Sequence, residues 1–169
     1  MSAETDNAAS GSGGARSGAR LASVQALYQM SVTGIDPVLA IGEFVTHRFG
    51  RDVEGIVYEG VDRPFFEDVV HGVTSRRDEI DGIIDAVLAK DRRVARLEKI
   101  LAAVLRAGVY ELLARVDVPA RVVISEYVDV AHVFFDDQQP GFVNGVLDRL
   151  AKQLRPNEMA AAGSHKGAA

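Results

Sequence analysis

The sequence predicts an all-α fold of about seven helices, and three observations carry that reading. Apolar residues recur at three- and four-residue spacing through most of the chain, the period of a helix with one buried face. Proline, glycine and aspartate fall between the periodic stretches, where helices start and stop. No stretch shows sustained period-two alternation bounded by turns. VPARVVIS (118–125) imitates a strand because Val and Ile are β-formers, but an isolated strand has no partner, so it reads as the start of a helix. A chain of 169 residues suffices for one domain with a real core, or for two small subdomains sharing one.

Residues 1–17 are mostly Ala, Ser, Gly, Asn and Thr and cannot bury enough apolar surface to offset ordering, which predicts a disordered tail. The folded part is predicted over 18–155. Helix one, 18–32, carries Leu21, Val24, Leu27 and Tyr28, and Thr33-Gly34 ends it. Asp36-Pro37 gives an N-cap followed by proline at the first helical position, and helix two carries Val38, Ile41, Phe44, Val45 and Phe49. Residues 50–62 have no period and predict a loop. Asp62 caps helix three, with Pro64 just inside and Phe65, Phe66, Val69, Val70 and Val73 along it. Ile80, Ile83, Ile84, Val87 and Leu88 mark helix four. Helix five, from Leu97 to Leu113, is the most apolar and is expected to be central. Asp117-Val118-Pro119 opens helix six on the same Asp-then-Pro logic, with Val123, Tyr127, Val130, Ala131 and Phe134 as its stripe. DDQQPG breaks the chain before helix seven, which begins at Phe142. Arg155-Pro156 ends that helix, because proline disfavours helical conformation in the residue before it. Residues 156–169 predict a flexible tail.

Helix seven contains an oddity. Phe142, Val143, Val146, Leu147 and Leu150 have the spacing of a packed helix, yet Asn144-Gly145 sits inside it. Glycine there costs roughly 1 kcal/mol relative to alanine. Something must offset this: close approach of another backbone, in which case Gly145→Leu overpacks, or close approach of a ligand.

Composition excludes several classes. There is no cysteine, hence no disulfide framework and no thiol chemistry, and zinc would have to rely on His and carboxylates. The net charge of −5 argues against coating nucleic acid through bulk charge, while leaving room for a local basic patch. No apolar run reaches the roughly 18 residues that a membrane span needs. The N-terminus lacks a hydrophobic signal core, so the chain reads as cytoplasmic.

No constellation favours catalysis or a cofactor. Glu67 and His71 are four apart, but a di-metal bundle needs a second such pair, and HExxH is absent. No serine lies in GxSxG. The glycine-rich stretch 11–14 lacks both the Lys-Ser/Thr of a phosphate loop and the strand before it.

The arginines are more suggestive. Arg16 and Arg20 are four apart at the start of helix one. Arg76, Arg77, Arg92, Arg93 and Arg96 gather around helix junctions. Arg149, Lys152 and Arg155 are three apart at the end of helix seven. The guanidinium fork fits phosphate. The same residues serve equally as a solvated face, and cations in a last turn stabilise the helix dipole without any ligand. Phe142 fits either a core position or a ring on which a base stacks. Asn144 fits either the reading of a base edge or the satisfaction of a backbone group.

GARLASVQALYQM (18–30), LRAGVYELL (105–113), VPARVVISEYVDVA (118–131) and FVNGVLDRL (142–150) resemble, in order and spacing, the bacterial transcription antitermination factor NusB family. The likeness runs over 16–155. It implies an all-helical fold of two small helical subdomains and no catalysis. It implies partnership with NusE, a ribosomal small-subunit protein, on a single-stranded boxA element of ribosomal RNA transcripts, within the RNA polymerase antitermination complex. Carried over by position, Arg16 and Arg20 match the family's RNA-contacting arginine stretch. Gln25 and Tyr28 match its ligand-facing side, Phe142 and Asn144 its RNA surface, and Arg106 the LR before YEL; Arg149 joins them from the basic run above. Ser17 and Gly18 stand where many relatives carry Arg, and Ser125 where the family more often has Asn. Two alternatives follow from the same resemblance. One is a detached targeting module akin to the NusB-like domain of ribosomal RNA methyltransferases, although the chain has no GxGxxG-type cofactor loop. The other is a homodimer that masks its own RNA surface.

Overall fold

A computed structural model of the protein describes residues 6–49, 52–53, 56–57, 60–136 and 138–164, with side chains over 14–49, 60–136 and 138–161. Eight α-helices and one 3-10 turn are present among them, so the all-α reading holds. None of these helices is long and apolar enough to cross a membrane. The chain divides at Ser75–Arg76 into two compact units, as the two-subdomain expectation requires.

The first unit contains α1 (Asp6–Thr33), α2 (Pro37–His47), a minimal hairpin of β1 (Asp52–Val53) and β2 (Ile56–Val57), and α3 (Arg63–Ser75). The α1 helix begins at Asp6 rather than near Gly18, and at Ala15 its backbone is tied to the start of α3. The Asp62 amide, entering α3, donates to the Ala15 carbonyl at 3.0 Å. The first five residues of the expected tail lie outside the described residues. The buried face of α1 is built from small side chains, with Ala19, Ala22, Ser23 and Ala26 fully buried beside Val24. Its hydroxyl needs no outside partner, since Ser23 donates to the Ala19 carbonyl at 2.7 Å. Both predicted Asp caps form: the Asp36 carboxylate accepts the Val38 amide at 2.9 Å, and Asp62 accepts the Phe65 amide at 3.1 Å. The core closes on three rings, with Phe66 centred 5.6 Å from Phe44 and 4.9 Å from Phe49. Two expectations change here. Residues 50–62 contain the antiparallel pair Asp52↔Val57 and Val53↔Ile56 instead of a plain loop. Val38 is 65% exposed, because α2 turns Ala40, Ile41 and Phe44 inward.

The second unit contains α4 (Arg77–Val87), a 3-10 turn (Val94–Arg96), α5 (Lys99–Ala114), α6 (Ala120–Phe134), α7 (Gln139–Leu154) and α8 (Pro156–Ser164). As the periodicity predicts, α5 is the centre. Every residue from Leu101 to Leu112 is buried, and α4, α6, α7 and the 3-10 turn pack on it. A helix buried on all sides leaves its last carbonyls without water. Arg155, just past the end of α7, supplies the donors. Its Nη2 donates to the carbonyls of Glu111 at 2.9 Å and Arg115 at 2.8 Å, its Nε to Leu112 at 3.0 Å, and its Nη1 to Val118. The fully buried Glu111 carboxylate in turn accepts the Tyr127 hydroxyl from α6.

Three sequence expectations are corrected in this unit. Asp117 does not cap α6; it pairs with Arg115 at 3.2 Å, and the first amide of α6, Ala120, donates to Glu158 of α8 at 2.6 Å. The stretch after Pro156 is a helix over most of its length rather than a tail, since Arg155 is pinned inside and Glu158 bonds both to it and to the start of α6; residues 165–169 lie outside the described ones. Gly145 is not a close-packing glycine: a Cβ there meets nothing within 4 Å. That role belongs to Gly108 in α5, where a Cβ would sit 2.9 Å and 3.0 Å from the two methyl carbons of Leu147 and 3.4 Å from the Tyr127 ring.

Two stability tests follow. Gly145→Ala is expected to raise the urea midpoint, by up to about 1 kcal/mol of helix preference. Gly108→Leu is expected to lower it by about 1–3 kcal/mol of overpacking; equal responses at the two sites would refute the assignment. Arg155→Met is expected to cost roughly 2–3 kcal/mol in the same assay with the m-value unchanged. Arg155→Lys should recover only part of this, because one ammonium cannot span four carbonyls.

Candidate nucleic-acid interface

The first unit carries four of the candidate residues on α1. Arg16 and Arg20, one turn apart, both lie over the face of Phe65, with guanidinium carbons 4.9 Å and 5.0 Å from the ring centre. Arg16 also faces Asp62 at 3.6 Å. Arg20 is only 2% exposed, so its charge sits under the helix surface rather than on it. Between Arg16 and Arg20, Gly18 packs closely: a Cβ there would lie 3.3 Å from the Val61 side chain. Gln25 is half-buried, and its amide oxygen has no partner among the described residues. Tyr28 is 42% exposed and lies one turn before Val32, also exposed. Across the turn made by Gly34 at positive φ, the exposed Val38 and Leu39 open α2. Four exposed apolar side chains thus flank the turn between α1 and α2.

The second unit carries the other four, and it separates them. Arg106 is buried, and its fork is closed on Asp81 of α4, Nε to Oδ1 at 2.7 Å and Nη2 to Oδ2 at 3.1 Å. Both of these nitrogens are occupied inside the fold. Arg149 is exposed and donates to the Val87 carbonyl, the last residue of α4, at 3.3 Å. Its charge therefore meets the negative end of that helix. Lys152 pairs with Asp148 at 2.9 Å and Arg155 is internal, so the three-residue spacing at the end of α7 makes no continuous basic face.

Phe142 and Asn144 are two residues apart on α7, which a helix places on nearly opposite sides. Phe142 is half-buried with the Arg92 guanidinium stacked 4.9 Å above its ring. Arg92 also lines an open recess of about 270 Å³ together with Arg93, Arg96 and Gln139, over Leu97 and Leu101 and with Asp91 and Glu98 at its edge. The 3-10 turn that carries Arg96 is held in place from α4, because Asp85 accepts the Val94 amide at 2.7 Å. Asn144 instead lines a second recess, of about 310 Å³, between α6, α7 and α8. The remaining junction arginines are engaged elsewhere. Arg76 pairs with Glu79 through two nitrogens, a hydrogen bond that holds the Glu79 carboxyl below its ordinary range, and Arg77 faces Asp81 at 3.8 Å.

The Arg92–Arg93–Arg96 group beside an aromatic ring is the arrangement that sequence reasoning did not assemble. The arginines were visible as a run. The meeting of Arg92 with Phe142 depends on how the stretch leading into the turn is placed by α4 and α5, which no local pattern records. No group of metal-ligating side chains occurs among the described residues.

The model of the NusB family matches residues 17–152. The chain is 51% identical over 144 residues to the transcription antitermination protein NusB of Novosphingobium aromaticivorans, covering 85% of this chain and 97% of that one. Its fold is similar to that of T. maritima NusB, with 30% identity and a TM-score of 0.66 over 85% of this chain and 94% of that one. It is also similar to a chain in a crystal structure of antitermination factors NusB and NusE in complex with double-stranded RNA, with 27% identity and a TM-score of 0.67 over 81% and 96%.

The Arg106–Asp81 contact yields a direct test. Arg106→Ala is expected to cost about 1.5–3 kcal/mol by removing its hydrogen bonds to Asp81, which keeps only the more distant Arg77 as a cation. The double variant Arg106→Ala/Asp81→Ala should lose clearly less than the sum of the two single losses in urea unfolding. Strict additivity would show that the pair is not coupled.

Proposed function

The chain belongs to the NusB family, and on that premise we propose that this antitermination factor binds a boxA-type element of ribosomal RNA transcripts together with NusE and so supports ribosomal RNA transcription in the cytoplasm. The observation that carries the RNA half of this reading is the Phe142 ring under Arg92, a residue that also lines a recess with Arg93 and Arg96. Protein that holds single-stranded RNA combines a charged track for phosphates with an aromatic face for bases; here Arg92 belongs to the recess and lies over the Phe142 ring. Gln139 adds an amide able to donate and accept at a base edge. The net acidic chain then makes sense: affinity is concentrated in one basic recess instead of spread over the surface. Arg16 and Arg20 contribute less directly in this reading. Held over Phe65, they position the entry to α3, and Arg16 retains enough exposure to meet a phosphate. Arg106 acts through Asp81 as an internal tie, and Arg149 as a cation at the end of α4.

The protein half rests on the exposed apolar surface of the first unit. Tyr28, Val32, Val38 and Leu39 are 42–65% exposed around one turn. Exposed large apolar side chains near one turn suit a protein contact, and in this reading NusE covers them within the RNA polymerase antitermination complex. A second copy of the chain is the competing occupant, because the same apolar surface suits self-association.

One titration series tests both halves. Single-stranded boxA-type RNA and its duplex are titrated at two salt concentrations, with and without NusE. Phe142→Ala is expected to weaken single-strand binding by about 1–3 kcal/mol. Arg92→Ala/Arg93→Ala should weaken it and also flatten the salt slope by roughly 0.7 for each phosphate that is no longer neutralised. Val38→Asp/Leu39→Asp is expected to abolish the gain from NusE while leaving RNA binding alone unchanged. No preference for boxA-type RNA with or without NusE would defeat the reading. If the Val38/Leu39 variant changes only the elution volume of the free protein, the apolar surface belongs to a homodimer.

A further inference from the structure

The α8 helix lies past residue 152, where the family match ends, yet it touches the most constrained part of the second unit. Its Glu158 carboxylate has two partners. One oxygen accepts the first amide of α6, from Ala120, at 2.6 Å; the other accepts from Arg155 Nη1 at 3.3 Å. The next residue, Met159, forms part of the wall of the recess between α6 and α7, whose other contributors include Arg121, Ser125, Val128, Asp129 and Asn144. A single carboxylate therefore holds both a helix start and the wall of a cavity of about 310 Å³.

We propose that α8 is a strap: Glu158, shared between the α6 terminus and Arg155, holds Met159 along the recess, and release of that carboxylate opens the α6–α7 face. The hinge is the Arg155–Pro156 junction. Arg155 stays fixed by four backbone carbonyls when Glu158 lets go, so the end of α7 keeps its place while α8 gives up its packing on α7. The contact is suited to switching because it is lopsided. Arg155 keeps its other donors occupied, and the Ala120 amide, at a helix start, can turn to water. A ligand taking the α6–α7 face would first displace Met159.

The chain has no cysteine, so one introduced thiol reports on one place. Val128→Cys puts a thiol in the recess at a half-buried position, and Val133→Cys puts one on the open side of the same helix, at a position 56% exposed. Reaction with a chromogenic disulfide is followed for each in the full chain, with and without Glu158→Ala. The strap predicts that Glu158→Ala speeds reaction at Val128→Cys by roughly tenfold, the scale of one missing hydrogen bond to a charged group, and leaves Val133→Cys unchanged. Glu158→Gln, which keeps an acceptor for the Ala120 amide, should fall between parent and Ala. Equal rates at Val128→Cys in parent and Glu158→Ala overturn the proposal, as does an equal acceleration at Val133→Cys, which would signify general loosening.

Discussion

The last turn of a helix surrounded by protein has carbonyls that nothing in the helix can satisfy. In this chain the Arg155 guanidinium meets that need for α5, donating to Glu111, Leu112 and Arg115 and reaching on to Val118. Much of the second unit depends on this contact. It stops α7 at a defined place, sets the turn between α5 and α6, and brings α8 back within reach of Ala120. Lysine could supply the charge but not the planar fork that spans several acceptors at once. The neighbouring Glu111–Tyr127 pair uses the same economy: one buried carboxylate meets one buried hydroxyl, so α5 and α6 are registered by polar groups inside an apolar interface.

With α5 held, α7 becomes the element that sorts function. Its inner stripe of Val143, Val146, Leu147 and Leu150 is buried, and Gly108 of α5 is bare so that Leu147 can come close. Its two flanks look different ways. Phe142 joins Arg92, just before the 3-10 turn, and Asn144 joins α6 and α8. An RNA surface built on this helix therefore draws on one flank, and the other is left for a separate contact.

Local chemistry explains what could be read in advance. Asp36-Pro37 and Asp62 with Pro64 announced helix starts because a cap and its proline act within three residues, and both caps form. The buried stripes of α3 and α5 were legible from period alone. Asp117-Val118-Pro119 carried the same local signal, but the first amide of α6 is taken by Glu158, 38 residues on, and local rules cannot weigh such a competitor. Gly145 and Gly108 show the same limit. Period marks a glycine as anomalous, and only the neighbouring helix decides whether it is needed. For the candidate site, residue types were legible and placements were not. Phe142 was recognisable as an aromatic at the edge of a stripe. The burial of Arg106 and Arg20 was not, because each depends on a partner, Asp81 or Phe65, supplied from another helix.

The stack of Arg92 on Phe142 has a kinetic side. The ring is already occupied by the protein's own cation, so in the proposed RNA-binding role an incoming base would have to wait for Arg92 to lift away. An exposed cation–π contact is worth about 0.5–1 kcal/mol, so the bare ring is present only a fraction of the time and apparent affinity falls in the same proportion. In that role the displaced guanidinium would stay beside Arg93 and Arg96, with which it lines the recess. Binding on the proposed surface would then be an exchange of partners, one that favours ligands bringing a ring and a negative charge together over those that bring only one.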